Sequence, residues 1–195
     1  MKLDEALAAL EAARPAGSFA VAANGDIARA LFRFDRPENF YMLGSMGLAS
    51  TIALGATLAR PERELVVYDG DGNLLMNLSG LALVAASSPR RFRHVLLDNG
   101  EYASTGGQPT LAGTVDLARL AEAAGYRKVL RVRAGDSPEK LAAAARELFA
   151  AAAPAFLHVR LDRIAPEAGP PGARVSLTPE ALRARFAAAL QHPGR

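Results

Sequence analysis

The segment from Asp69 to Thr110, DGDGNLLMNLSGLALVAASSPRRFRHVLLDNGEYASTGGQPT, decides the fold of this chain. It follows one continuous apolar run, residues 65–68, and contains a second at residues 95–97. Such runs are typical of strands buried on both faces of a parallel sheet. Asp71 follows the first run within a Gly-Asp-Gly turn, and Asn99 follows the second. Both side chains are therefore expected at the carboxyl edge of a sheet, where open parallel sheets bind ligands.

Asp71 and Asn99 carry oxygen atoms of the kind that Mg²⁺ prefers, and such an ion can also bind a diphosphate. Glycines on both sides of Asp71 allow backbone to approach a charged group closely. The Gly-Asp-Gly segment alone could equally be a tight turn, and the later amide could cap a loop. Because both features occur together, each after an apolar run, we predict a magnesium and diphosphate site.

Apolar runs alternate with helical patterns along most of the chain. Strands are predicted near residues 19–22, 40–43, 65–68, 94–97, 128–132 and 156–161, and helices near residues 1–15, 24–34, 46–58, 73–86, 115–124 and 137–152. This alternation predicts parallel βαβ units. The expected fold class is therefore α/β, a six-stranded, mainly parallel sheet with helices on both faces. The glycine-rich stretch 99–113 is predicted to lack regular structure.

Two segments are expected: a domain of residues 1–162 that begins with an N-terminal helix, and a tail of residues 163–195. The tail opens with a linker rich in proline and glycine. It ends in a helix from Thr178-Pro179-Glu180 to about Gln191 whose apolar stripe is Leu182, Phe186 and Leu190. We expect this helix to pack on the domain or on a partner subunit.

Composition excludes several classes of function. The chain has 195 residues, no cysteine and a formal charge of +3, so neither disulfides nor thiolate metal sites contribute. The run Arg90–Arg93 is interpreted as a solvated turn, since nucleic-acid binding needs a continuous basic stripe or aromatic platforms. The N-terminus has the pattern of an amphipathic helix rather than a signal peptide. With no run long enough to span a membrane, a soluble cytoplasmic protein is expected.

Gly70-Asp71-Gly72, followed after residues 73–97 by Asp98-Asn99, resembles the signature of the thiamine diphosphate enzymes. The family has a pair of asparagines at the second position, so Asp98 is a departure. Residues 39–50, NFYMLGSMGLAS, and 104–110, STGGQPT, resemble more narrowly the sulfopyruvate and phosphonopyruvate decarboxylases, most closely the beta subunit of sulfopyruvate decarboxylase. The likeness covers roughly residues 17–160.

The resemblance implies a diphosphate-binding domain of the PP type, with thiamine diphosphate and Mg²⁺ as cofactors. The implied metal ligands are the side chains of Asp71 and Asn99 and the main-chain carbonyl of Glu101. The implied cofactor-binding set also includes Gly44, Ser45, Met46, Gly70, Gly72 and Asn73. Within it, Met46 would be the wedge that keeps the cofactor bent, although a methionine after a strand is more often plain core. Asn73 would touch the diphosphate, or would be a plain first-turn helix residue.

A candidate substrate loop follows the metal-ligand segment. It consists of Tyr102, Ser104, Thr105, Gly106, Gly107 and Gln108. Such a loop could close over a small anionic substrate and exclude water, or it could be a surface connector. Asn24-Gly25 could reach the diphosphate end of the site. His94 and His158 fall in predicted strands and are interpreted as structural.

No convincing catalytic acid or base is evident on this chain. In the resembled family the activating glutamate lies on a separate domain of the PYR type. We therefore expect an alpha subunit that carries this glutamate, in a hetero-oligomer built on dimers.

The implied function is decarboxylation of an anionic 3-substituted pyruvate, as in conversion of 3-sulfopyruvate to sulfoacetaldehyde and CO₂. Three alternatives stay open: a phosphonopyruvate decarboxylase subunit, a thiamine-dependent 2-oxoacid enzyme of the acetolactate synthase type, and a non-catalytic scaffold subunit. A nicotinamide-binding domain is disfavoured, because no G-x-G-x-x-G follows a strand.

Overall fold

A six-stranded parallel sheet forms the centre of the chain in a computed structural model that describes residues 1–163 and 172–191. The strands are β1 (Phe19–Ala22), β2 (Asn39–Tyr41), β3 (Leu65–Gly70), β4 (Phe92–Asp98), β7 (Lys128–Val132) and β8 (Ala155–Arg160), with the short pair β5 (Glu101–Tyr102) and β6 (Gln108–Pro109) outside the sheet. Their order across the sheet is β2-β1-β3-β4-β8-β7, and each neighbouring pair is parallel. The predicted fold class is confirmed.

Helices cover both faces of this sheet. They are α1 (Leu3–Ala13), α2 (Asp26–Phe32), α3 (Ala49–Ala59), α4 (Asp71–Met76), α5 (Ser79–Ser87), α6 (Leu117–Ala124), α7 (Pro138–Ala150) and α8 (Pro179–Gln191). Helix α1 packs between α2 and α7, while α3, α5 and α6 form a second layer. The central strands β3 and β4 are buried along nearly their whole length, as their apolar runs predict.

The predicted helix over residues 73–86 is wrong, because two helices occupy this region. Helix α4 already begins at Asp71 and ends at Met76, and α5 begins at Ser79. Between them the Ser79 hydroxyl donates to Oδ1 of Asn77 over 2.6 Å. Short polar side chains that bond locally compete with helix continuation, and here they separate the two helices.

The stretch from Asn99 to Gly113 is more ordered than predicted. Strands β5 and β6 pair in antiparallel fashion, with Tyr102 opposite Gln108. Two 3₁₀ turns, Ala103–Thr105 and Leu111–Gly113, complete the segment. The glycines here occupy positive φ at Gly106 and Gly107, so they form the turn of this small hairpin rather than an irregular loop.

The basic run Arg90–Arg93 is only partly a solvated turn. Arg90 and Arg91 are exposed, but Arg93 is buried within β4. Its guanidinium lies 3.0 Å from a carboxylate oxygen of Glu64 and donates to the carbonyl of Phe149. A buried arginine needs such partners, so Arg93 is structural.

Helix α8 packs on the domain, at the β1 and β2 side of the sheet. The Phe186 ring meets the rings of Phe19 and Phe40 with centroids 5.6 and 5.5 Å apart. Leu182 is also buried, and the side chain of Arg60 donates to the carbonyl of Leu190. Residues 164–171, which include most of the predicted linker, lie outside the described residues, as does His192. The predicted domain division therefore stays a prediction.

Within residues 1–163 and 172–191, no helix is both long and apolar enough to cross a membrane. The expected cytoplasmic location stays a prediction.

Replacing Phe186 with alanine is expected to lower the free energy of unfolding by about 3 kcal/mol, because it removes a buried ring and leaves a cavity. Denaturant titration followed by circular dichroism measures the change. The exposed Leu58 provides a matched control, and Leu58→Ala should cost less than about 0.5 kcal/mol. Equal stability of both variants would contradict the packing of α8 on the sheet.

Candidate functional site

The predicted metal ligands meet at the carboxyl edge of the sheet, between β3 and β4. Gly70 of β3 pairs with Leu97 of β4, so the chain leaves both strands at the same level. Asp71 and Asn99 follow within two residues of this pair. Both line one cavity of about 430 Å³, together with Glu101.

Most of the predicted site residues lie around this cavity. Those that line it are Met46, Gly70, Asp71, Gly72, Asn73, Asn99, Glu101, Tyr102, Ser104, Thr105 and Gln108. Gly44, Ser45, Gly106 and Gly107 are exposed and do not line it. Of Asn24-Gly25, Asn24 lines the cavity and Gly25 does not. The sheet edge therefore gathers segments that are far apart along the chain, since Leu3 and Asp162 both contribute to one cavity.

Asp71 is a buried carboxylate at the first position of α4. The Thr110 hydroxyl donates to its Oδ2 over 2.5 Å. Burial raises the pKa of Asp71, the hydrogen bond from Thr110 opposes this shift, and the negative charge of Asp98 adds to it. A carboxylate in this state gains from a nearby cation, which would offset its desolvation. Thr110 was not among the predicted site residues, although it closes the STGGQPT segment.

Asn99 and Asp98 turn in different directions at the end of β4. Oδ1 of Asn99 accepts from the backbone N–H of Glu101 over 3.1 Å, which holds these two predicted ligands in one short turn. Asp98 instead accepts from Nε2 of His158 at 2.8 Å and from the Arg160 guanidinium at 2.5 Å. Burial alone would raise the pKa of Asp98, but hydrogen bonds from His158 and Arg160 outweigh it and lower the pKa. The acid at this position is thus charge-compensated.

Asn73 connects two parts of the site through its side chain. Its Nδ2 donates to Oδ1 of Asp69 over 2.5 Å, and its Oδ1 accepts from the backbone N–H of Gly47 over 2.7 Å. Both ends of the amide are therefore engaged within the protein. The predicted contact of Asn73 with a diphosphate stays a prediction, for which its backbone N–H and its second Nδ2–H are the available donors.

Tyr102 and Met46 meet over Gly72. A Cβ atom placed on Gly72 would lie 2.4 Å from Cε1 of Tyr102 and 3.3 Å from Cε of Met46. Real Cβ atoms do not approach ring carbons this closely, so the absence of a side chain at Gly72 is what allows the ring to lie there. The second glycine of the Gly-Asp-Gly segment thus shapes the cavity wall.

The cavity wall is acidic. Among the described residues that line it, the charged side chains are four carboxyl groups, with no lysine, arginine or histidine: Asp26, Asp71, Glu101 and Asp162. Burial raises the pKa of Asp26, and the guanidinium of Arg29, 3.8 Å away, opposes this shift. Oδ1 of Asp26 is buried without a hydrogen-bond partner. Sequence reasoning missed Asp26, whose one signal is its position after β1 at the same sheet edge.

Within the described residues no group of three or more His, Cys, Asp or Glu side chains could hold a metal ion. The predicted ligand set has one carboxylate, one amide and one carbonyl, and so differs in composition from such a group. Its oxygen atoms suit Mg²⁺, which keeps several positions for water or phosphate oxygens. The donor set therefore fits a magnesium ion that also holds a diphosphate.

Comparisons with known proteins identify a family and relatives to which the chain is similar. Residues 21–159 match the family model of the thiamine pyrophosphate enzyme, C-terminal TPP binding domain. Phosphonopyruvate decarboxylase of Streptomyces viridochromogenes is 40% identical over 194 residues, covering 96% of this chain and 46% of that protein. Sulfopyruvate decarboxylase subunit beta of Methanothermobacter thermautotrophicus is 54% identical over 95 residues, covering 49% of this chain and 51% of that subunit.

The fold is also found in a solved structure. The thiamine diphosphate-dependent 4-hydroxybenzoylformate decarboxylase of Rhodococcus jostii RHA1 superposes with a TM-score of 0.70 at 21% identity. The match covers 84% of this chain and 33% of that chain. The chain thus spans about half the length, or less, of the relatives named here.

Replacing Gly72 with alanine is expected to displace the Tyr102 ring into solvent, because the added methyl group would overlap it. The chain has four tyrosines and no tryptophan, and Tyr102 is the one that is not buried. Acrylamide quenching of tyrosine fluorescence should therefore increase. Gly55→Ala is the control, because nothing lies within 4 Å of its added Cβ. Unchanged quenching in Gly72→Ala would show that the ring does not lie against Gly72.

Proposed function

The chain belongs to the thiamine pyrophosphate enzymes through their C-terminal TPP binding domain, and from this premise we propose that it is the diphosphate-binding subunit of a 2-oxoacid decarboxylase. The observation that carries the proposal is the meeting of Asp71 and Asn99 at one cavity in a chain that matches this family. The proposed substrate is an anionic 3-substituted pyruvate, with 3-sulfopyruvate converted to sulfoacetaldehyde and CO₂.

The proposed cofactor contacts follow from the cavity. Side chains of Asp71 and Asn99 and the carbonyl of Glu101 would hold Mg²⁺, and Gly70 and Gly72 would let the diphosphate approach the backbone. The exposed turn Gly44-Ser45-Met46 would support the pyrimidine ring, with Met46 as the wedge. This assignment is supported by the lining of the cavity by Met46 and by the oxygen donors at the strand ends.

Bound thiamine diphosphate supplies the electron sink that accepts the electron pair left on carbon when CO₂ departs. The residues of this chain bind, orient and shield. Asp71, with Thr110 bonded to its Oδ2, would keep its carboxylate aimed in one direction. Tyr102 and the loop that carries Ser104, Thr105 and Gln108 lie at the cavity and would exclude water from it.

A partner chain is part of the proposal for two reasons. The activating glutamate of this family is expected on a PYR-type alpha subunit, and three relatives are named as beta subunits. The acidic cavity wall adds a second reason, because an anionic substrate needs a cationic group that the described lining residues do not provide. We propose that the alpha subunit supplies both groups, in a cytoplasmic hetero-oligomer built on dimers.

Phosphonopyruvate is the second candidate substrate. The phosphonopyruvate decarboxylase of Streptomyces viridochromogenes aligns with nearly the whole of this chain, whereas the beta subunit of Methanothermobacter aligns with half of it at higher identity. Both substrates are 2-oxoacids with a second anionic group, so the lining of the cavity does not discriminate between them. Measured turnover of each substrate would discriminate between them.

Replacing Asp71 with asparagine is expected to weaken binding of Mg²⁺–thiamine diphosphate by at least the roughly 10- to 100-fold cost of losing an outer-shell metal partner. Calorimetry on the purified chain, alone and with its partner, measures this. Asp162→Asn removes the same charge from the cavity rim and should change affinity less than about threefold, because its side chain is 60% exposed. Equal affinity of both variants and the wild type would remove Asp71 from the proposed metal ligands.

The purified chain alone is expected to show little or no decarboxylation of 3-sulfopyruvate, phosphonopyruvate or pyruvate. Mixing it with a glutamate-bearing PYR-type chain should restore turnover, with aldehyde and CO₂ as products and 3-sulfopyruvate as the best substrate. Product analysis on the three oxoacids identifies the substrate, and acetolactate from pyruvate would indicate the synthase alternative. Robust turnover by this chain alone would contradict the two-chain proposal.

A further inference from the structure

Four buried polar side chains, from Tyr126 just before β7 to Asn73 at the cavity, are connected by hydrogen bonds. The resemblance implies a cofactor contact only for the last of them, Asn73. The Tyr126 hydroxyl lies 3.0 Å from Nδ1 of His94, and Nε2 of His94 lies 3.0 Å from Oδ2 of Asp69. Oδ1 of Asp69 accepts from Asn73, and Asn73 accepts from the backbone N–H of Gly47. His94 and Asp69 are at most 1% exposed. Buried polar groups this well matched constrain one another strongly.

The direction of each hydrogen bond follows from its neighbours. Burial, together with the negative charge of Asp69, raises the pKa of Tyr126, so its hydroxyl stays protonated and can donate to Nδ1 of His94. Nε2–H of His94 then donates to the Asp69 carboxylate, which can only accept. Asn73 must turn its Nδ2 toward Asp69, and this leaves its Oδ1 facing the N–H of Gly47. This arrangement of protons satisfies all four contacts.

The turn at the end of this relay has an uncommon backbone. Ser45 has φ of 57° and Gly47 has φ of 96°. A non-glycine residue at positive φ is held there by its surroundings rather than by its own preference. A Cβ on Gly47 would lie 3.0 Å from Cβ of Met76, so the turn also presses on α4. The bond from Gly47 to Asn73 therefore fixes the turn that carries Met46.

We infer that the relay of Tyr126, His94, Asp69 and Asn73 is a positioning device that sets the Ser45–Gly47 turn, and with it the Met46 side chain at the cavity. His94 thereby has a second role beside that of a structural residue. It orients Asp69, which orients Asn73, which holds the turn. The part of this inference that concerns cofactor orientation rests on the proposed function, whereas the coupling of the relay to the turn does not.

Hydrogen exchange of the Gly47 amide tests the coupling directly. Tyr126→Phe removes only the outermost hydroxyl, and it should speed Gly47 exchange by about threefold to tenfold, the scale of one hydrogen bond. Tyr68→Phe is the matched control. It also removes a fully buried hydroxyl, bonded to Glu11 over 2.7 Å, but on the opposite face of the sheet, and it should change Gly47 exchange less than about twofold.

His94→Phe provides a stronger break of the relay and should speed Gly47 exchange by more than Tyr126→Phe does. If this variant does not fold, Tyr126→Phe and its control still decide the matter. Rates are compared after subtracting global unfolding, measured by denaturant titration. Gly47 exchange that is equal in Tyr126→Phe, Tyr68→Phe and the wild type would overturn the relay.

Binding of two ligands distinguishes a failure of the relay to orient the cofactor from a failure of the proposed function. Relay variants should lose about threefold to tenfold in affinity for Mg²⁺–thiamine diphosphate but less than about twofold for Mg²⁺–pyrophosphate, which has no ring for Met46 to contact. Equal losses for both ligands, or none, would overturn the assignment of the relay to the wedge. A wild-type chain that binds neither ligand, with or without its partner, would instead count against the proposed function, while the exchange rates still decide the relay.

Discussion

The parallel pairing of β3 with β4 is the constraint on which the site depends. In this register Gly70 lies opposite Leu97, which brings Asp71 and Asn99 to the wall of one cavity where the chain leaves the sheet. Because side chains alternate between the two faces of a strand, a slip of one residue would turn every buried side chain to the wrong face. Contacts specific to one face oppose such a slip, because Tyr68 donates to Glu11 on one face of the sheet and Asp69 contacts His94 on the other. The core therefore sets the geometry of the predicted metal site.

Consecutive residues at the end of β3 have different roles. Tyr68 faces α1 and donates to Glu11, whereas Asp69 faces the other helix layer and contacts His94. Gly70 ends the strand, and Asp71 faces the cavity as the first residue of α4. The same four-residue stretch, Tyr68 to Asp71, thus anchors one helix, carries the relay and presents the candidate ligand. A substitution in this stretch changes core packing and the site together.

Charge is distributed unevenly between the cavity and its surroundings. Asp98 stands where the resembled family has asparagine. Its negative charge is compensated behind the site, because Asp98 pairs across the sheet with Arg160 and accepts a hydrogen bond from both Arg160 and His158. The cavity itself has four carboxyl groups in its wall and no basic side chain among the described lining residues. A divalent cation would reduce the repulsion that a diphosphate meets there. An anionic substrate would still need positive charge from outside this chain, which links the composition of the wall to the proposed partner.

The sequence by itself determined the α/β class, six strands close to their observed places, and the position of Asp71 and Asn99 at one sheet edge, because apolar runs and the short motifs after them are local signals. Only the tertiary structure decided where Asn73, Thr110, Asp26 and His94 contribute. Their contacts join residues far apart along the chain, such as Tyr126 with His94 or Thr110 with Asp71. The break between α4 and α5 and the hairpin of β5 and β6 were also missed, because short polar side chains and glycines permit several backbone paths, and their neighbours in the fold select one.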